Sequence, residues 1–173
     1  MNNLDEPLSE LLTVPFTFRK QPSGLPADYR PHRRVSLLLL IVSRCHGSRA
    51  NLEQIHVLDW ACRSATSREH FRACMKGGRA PDLPCVRFDP TVNRAIDWAS
   101  GANLLRTSTD SLPDRSRALR DYRVWLTTRG KAAVTVLDSI ADCLVAEKIL
   151  LAEIGRKVTQ DFVQPFLRWG LSW

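Results

Sequence analysis

The chain has 173 residues, 44% of them hydrophobic and 25% charged, the mix of an ordinary globular protein with one core and room for an added arm or helix. Its longest apolar run, Leu37 to Val42, is far below the roughly 20 residues that span a bilayer, which argues against a membrane protein. The net charge is +7, from 25 Lys and Arg against 18 Asp and Glu; this suits nucleic acid or an acidic protein, but the excess is spread along the chain and forms no long basic run.

The first segment, residues 1–32, reads as an extended arm. Pro7, Pro15, Pro22, Pro26 and Pro31 interrupt any helix there. Thr13 to Lys20 alternates in an extended pattern, and its aromatics Phe16 and Phe18 need cover, from the chain's own domain or from a partner. Met1 to Glu10 is acidic and resembles no secretory leader.

Residues 33–143 are expected to form the domain. Arg34 to Arg44 holds the Leu37–Val42 run; leucine bias favours helix over strand, and Gly47 is expected to end it. Leu52, Ile55, Leu58 and Cys62 recur at helical spacing in a second helix, Asn51 to Arg63, with Ser48 as the expected N-cap. A third helix is expected over Ser67 to Met75. Asp89-Pro90 then marks a helix start, Asp as N-cap and Pro at the first position, and Val92, Ala95, Ile96 and Ala99 form its inner face. Asn103 to Ser108 and Asp121 to Leu126 read as two short strands around the polar connection Thr109 to Arg120. Thr127 or Thr128 caps a helix running to about Ala141, with Ala133, Val136, Leu137 and Ile140 inward. Residues 144–173 read as one more helix with an apolar tail. Trp60 and Trp98 are expected to fill the core or a helix seam.

Helices, a capped helix, strand, polar loop, strand and helix is the winged-helix order. The fold expected is therefore α+β, mainly α: a winged-helix domain with an extended N-terminal arm and an extra C-terminal helix. Pro90 to Ser100 takes the recognition-helix position and Thr109 to Arg120 the wing. Asn93, Arg94 and Asp97 then point outward, with Arg115, Arg117 and Arg120 on or beside the wing, and duplex DNA is the ligand such residues would meet. The segment Tyr122-Arg123-Val124-Trp125-Leu126-Thr127-Thr128-Arg129-Gly130-Lys131 resembles many winged-helix proteins, in which a strand ends in Leu-Thr and a Gly soon enters the next helix.

Taken with the Leu-rich helix after Arg33, Leu52-Glu53-Gln54-Ile55-His56-Val57-Leu58-Asp59-Trp60-Ala61 and Val86-Arg87-Phe88-Asp89-Pro90-Thr91-Val92-Asn93-Arg94-Ala95, the layout resembles the middle component of bacterial three-component ATPase systems, including the Lamassu type of anti-phage defence. The resemblance covers about Arg33 to Trp169. It implies a non-catalytic adaptor between an ATPase related to the structural-maintenance-of-chromosomes proteins and an effector, often a nuclease. Phe16, Phe18, Phe162, Phe166, Trp169 and Trp173 are the expected partner contacts, because aromatic anchors dominate interfaces. The alternative is a winged-helix transcriptional regulator that binds DNA.

No catalytic motif is present: the sequence holds no phosphate-binding G-x-x-x-x-G-K-S/T loop, no H-E-x-x-H and no G-x-S-x-G. Cys45, Cys62, Cys74, Cys85 and Cys143 form no C-x-x-C pair, and Cys62, His70, Cys74 and Cys85 match no common zinc spacing. Reduced cytoplasmic thiols, no metal and no cofactor are expected. His56 with Cys62, and His70 with Cys74, share helix faces but lack a third orienting group. Asp138 with Asp142 is an ordinary spacing for a solvated helix face.

Overall fold

The structure, a computed structural model, describes residues 30–77, 86–108, 122–154 and 157–168. Within them the chain forms a mainly helical α+β fold with seven α-helices and one small, open, antiparallel sheet. Of the extended arm expected over 1–32, residues 1–29, with Phe16 and Phe18, lie outside the described residues.

Helix α1 spans Pro31–Arg44. Pro31 stands at its first position, where the missing N–H costs nothing, so Pro31 and His32 belong to the helix and not to an arm. Leu37 to Val42 are buried without interruption, which makes α1 the central rod of the core. A tight turn, His46–Ser48, follows, with Gly47 at φ 65° and Ser48 at φ 52°. Ser48 is thus used up in the turn, and Asn51 caps the next helix instead. Its side chain accepts from Gln54 N at 2.7 Å while Gln54 Oε1 accepts from Asn51 N at 3.0 Å, a reciprocal capping box.

Between turn and cap lies strand β1, Arg49–Asn51, which the sequence reading did not anticipate. Helix α2 is Leu52–Arg63 and α3 is Ala65–Met75. Helix α4 runs Pro90–Gly101, and its inner face is Val92, Ala95, Ile96 and Ala99, as expected. Strands β2, Leu105–Thr107, and β3, Arg123–Leu126, follow. The sheet order is β1-β3-β2, antiparallel throughout, with Arg49 opposite Trp125 and Arg106 also opposite Trp125. Ala50, Val124, Leu105 and Leu126 cover the core side. The connection from Thr109 to Arg120, with Arg115, Arg117 and Arg120, lies outside the described residues.

Helix α5, Thr128–Ser139, is capped by Thr127, whose hydroxyl accepts from Gly130 N at 3.0 Å. Its buried positions are Gly130 and Val134, with Ala133 and Leu137 partly buried. Val136 and Ile140, expected inward, are 60% and 40% exposed. The face was turned by Gly130, which lies flat against the Leu104 backbone carbonyl.

Residues after 144 form two helices, not one: α6, Val145–Ile154, and α7, Gln160–Arg168. Val158 is buried between them, and Thr159 Oγ1 accepts from Phe162 N at 3.2 Å, restarting the chain as a new helix. Gln54 Nε2 donates to Val158 O at 2.8 Å and Val86 N to Phe166 O at 3.0 Å, which seats α7 beside α2 and the entry to α4. Among the described residues no helix is long and apolar enough to cross a membrane.

Candidate nucleic-acid interface

Helix α4 is fixed at its N-terminus by an unusual number of bonds. Asp89 caps it, accepting from Thr91 N at 2.8 Å and from the Thr91 hydroxyl at 2.7 Å. The same carboxylate accepts from Arg63 at 2.5 Å and from Arg34 at 3.3 Å. Those two arginines also hold Asp59, Arg34 at 2.8 and 3.0 Å and Arg63 at 2.7 and 3.0 Å. Asp59 is buried on α2, so two carboxylates and two guanidinium groups join α1, α2 and α4 in one alternating cluster. Burial pushes the Asp89 pKa upward, but the Thr91 hydroxyl and amide, then Arg63 and Arg34, outweigh it and hold the carboxyl below its usual range. Burial likewise works to lower the Arg63 pKa, and Asp59 and Asp89 overcome it, leaving the guanidinium above its ordinary value.

His56 completes the mount. Its Nδ1 accepts from Asp89 N at 3.2 Å, and the Phe88 ring meets it edge-on at 4.5 Å between centroids. Burial lowers the pKa of this ring, with Asp59 and Asp89 opposing in part. A neutral imidazole is what an acceptor role at Nδ1 requires.

The opposite face of α4 is open. Asn93, Arg94, Asp97 and Trp98 are exposed, and Arg87 and Phe88 are exposed just before the helix. Trp98, expected in the core or a seam, is 55% exposed; α1 packs against α4, whose buried face is Val92, Ala95, Ile96 and Ala99. Asn and Arg side chains on a helix edge are the groups that pair bidentately with adenine and guanine in a major groove. Asp97 is the one carboxylate of α4 on this face.

A second exposed surface lies on the sheet. Arg49, Arg106, Arg123 and Trp125 share its outer side, and the first turn of α5 adds Arg129 and Lys131. Among the described residues none of these cations makes an ion pair. Arg49, Arg106 and Arg123 were not singled out from the sequence, although the alternation Arg123-Val124-Trp125-Leu126 already places Arg123 and Trp125 on one face.

The aromatic candidates at the C-terminal end are only partly described. Phe166 is 2% exposed, and Phe71, Phe162 and Phe166 cluster with centroids 5.6 Å apart, Phe71 stacked on Phe166 and edge-on to Phe162, with Trp60 6.0 Å from Phe166. Phe166 is therefore covered by its own domain, while Phe162 packs on the same cluster and stays partly exposed. Burying such a ring is worth about 1.5–3 kcal/mol, which an interface would have to replace. Trp169 and Trp173 lie outside the described residues.

Cys45 and Cys62 are buried free thiols. Burial pushes the Cys45 pKa up to about 11 and raises that of Cys62 further, the reverse of what a nucleophilic thiolate needs. His70 is exposed on α3, and Cys85 lies outside the described residues. Among the described residues no three His, Cys, Asp or Glu side chains are grouped to hold a metal. Asp138 accepts from Arg44 at 3.2 Å across α1 and α5. The chain matches no protein-family model, no curated protein and no solved structure.

Proposed function

We propose that the chain is a non-catalytic winged-helix module that binds duplex DNA through α4. The observation that carries this is the sheet order β1-β3-β2 combined with the place of α4 immediately before the β2–β3 hairpin. A helix, a short strand, further helices and an antiparallel hairpin in that order support reading α4 as the recognition helix. The alternating Asp and Arg cluster holds its N-terminus rigidly, while Asn93, Arg94 and Trp98 face outward. The segment between β2 and β3, in the wing position, carries Arg115, Arg117 and Arg120 in sequence.

Anisotropy titration of the full chain with a labelled mixed-sequence duplex tests this. Affinity is expected to fall steeply with salt, with a log–log slope near −0.9 for each phosphate neutralised. Arg94→Glu should weaken binding at least about tenfold, and Asn93→Ala by about fivefold or more. A duplex affinity that ignores both substitutions would remove α4 as the reading element.

A second reading, the adaptor between a structural-maintenance-of-chromosomes-like ATPase and a nuclease effector in anti-phage defence, is favoured by a different observation. Val136, Ile140, Val145 and Ile149 are 60%, 40%, 47% and 52% exposed on the adjoining ends of α5 and α6. Lys148 locks these ends together by donating to Leu137 O at 2.5 Å and Ile140 O at 2.7 Å. Exposed apolar side chains gathered this way suit protein docking. Co-expression with neighbouring genes tests it: a coiled-coil ATPase should co-purify with the chain and be lost on Val136→Asp with Ile149→Asp. Co-purification indifferent to that pair would contradict it.

A further inference from the structure

We propose that the outer face of the sheet is a binding surface for single-stranded nucleic acid, with Trp125 as its stacking platform. This deepens the DNA-binding reading by adding a second surface, and takes from it only that the ligand class is nucleic acid.

The register makes the surface. Residues directly opposite in an antiparallel pair project to the same side, with Cβ atoms about 4.5–5.5 Å apart. Arg49 and Arg106 are both opposite Trp125, one from each neighbouring strand, so the three form a row of cation, indole and cation across the sheet. Arg123 lies two residues before Trp125 and shares its side. The core side is filled by Ala50, Val124, Leu105 and Leu126, so the outward alternation is fixed and a slip of register would bury the arginines.

Beside this row the sheet meets the start of α5 in an open hollow of about 680 Å³. Arg106, Trp125, Thr127, Thr128, Arg129 and Lys131 are among the residues that line it. Among the described residues no carboxylate lines it. Arg49, Arg106, Arg123, Arg129 and Lys131 are all exposed. Their charge calls for a polyanion. The partly exposed indole at the centre selects the kind: a planar base can stack on it while phosphates reach the surrounding cations. Bases in a duplex hide their faces, and an acidic peptide offers charge but no ring system to stack, so an unpaired strand fits best.

The test is anisotropy of a labelled oligothymidylate with the full chain at low salt. Trp125→Ala should weaken binding about tenfold or more, and Trp125→Phe should recover most of it. Arg106→Ala and Arg129→Ala alter exposed side chains, and each should lower the salt slope by about 0.7. Oligothymidylate affinity indifferent to Trp125→Ala and to both arginine substitutions would overturn the proposal. Displacement of the oligomer by polyglutamate at equal charge would overturn it too, in favour of an acidic protein. The outcomes separate the two surfaces: Trp125-dependent single-strand binding without duplex binding sinks the α4 reading alone, and Arg94-dependent duplex binding with single-strand binding blind to Trp125 sinks this one alone.

Discussion

Gly130→Ala is predicted to unseat helix α5 from the sheet. A Cβ at this position would fall onto the Leu104 carbonyl oxygen, far inside van der Waals contact, and within 3.1 Å of Leu126 Cδ2. The leucine can rotate, but the carbonyl cannot: it accepts from Thr127 N and from the Thr127 hydroxyl, each at 3.1 Å. Relief requires the start of α5 and the approach to β2 to separate by about 1 Å, which loosens both bonds and the N-cap to Gly130 N. Overpacking costs about 1–3 kcal/mol and each weakened hydrogen bond about 1 kcal/mol. Alanine's better helix propensity offsets about 1 kcal/mol of that, leaving a net loss of about 3–5 kcal/mol. Urea unfolding followed by circular dichroism should show a lower midpoint at unchanged slope. Gly101→Ala, also in a helix, is the matched control, since a Cβ there meets nothing within 4 Å, and it should leave stability unchanged or raise it by up to about 1 kcal/mol. Equal stability of the two variants would refute the packing account of the strand-end Leu126-Thr127 and Gly130 pattern.

Two further predictions concern the mount of α4. Asp59→Ala should cost on the order of 3 kcal/mol, because it removes the buried one of the two carboxylates that Arg34 and Arg63 share and leaves only Asp89 between them; a loss below about 1 kcal/mol in the same unfolding assay would mean that the cluster is dispensable. His56 gives a pH dependence of definite sign. Its pKa in the folded chain lies below the ordinary 6.5, so under about pH 6.5 the unfolded chain takes up a proton that the folded chain refuses. Stability should therefore fall as pH drops below that value, by at most about 1.4 kcal/mol per pH unit, until the ring in the folded protein protonates. His56→Asn, with an amide oxygen to replace Nδ1 as acceptor for Asp89 N, should flatten thermal midpoints between about pH 5 and pH 7; an identical slope in both proteins would contradict this.

Helix α4 was legible because its signals are local: Asp89-Pro90 at the start and four apolar residues at helical spacing. The hairpin strands were legible from their alternation. Strand β1 was not, because Arg49-Ala50-Asn51 is three residues long and is made a strand only by pairing with β3. The N-cap moved from Ser48 to Asn51 because Gln54 three residues on closes a capping box, a signal present in the sequence but outranked by the earlier serine. In α5, Ala133 and Leu137 of the expected inner face stay partly buried, but Val136 and Ile140 give way to Gly130 and Val134, and the contact of Gly130 with Leu104 decides this. The basic sheet face was invisible because its residues come from three separate strands and meet only through register.

Backbone amide and indole chemical shifts of the full chain during titration with duplex DNA probe the proposed function most directly, since the five tryptophans supply five indole reporters. The largest shifts should fall on Asn93, Arg94 and the indole of Trp98, while the indole of Trp60, packed against Phe166, stays in place. Shifts confined to the exposed ends of α5 and α6, or absent at low salt, would contradict it.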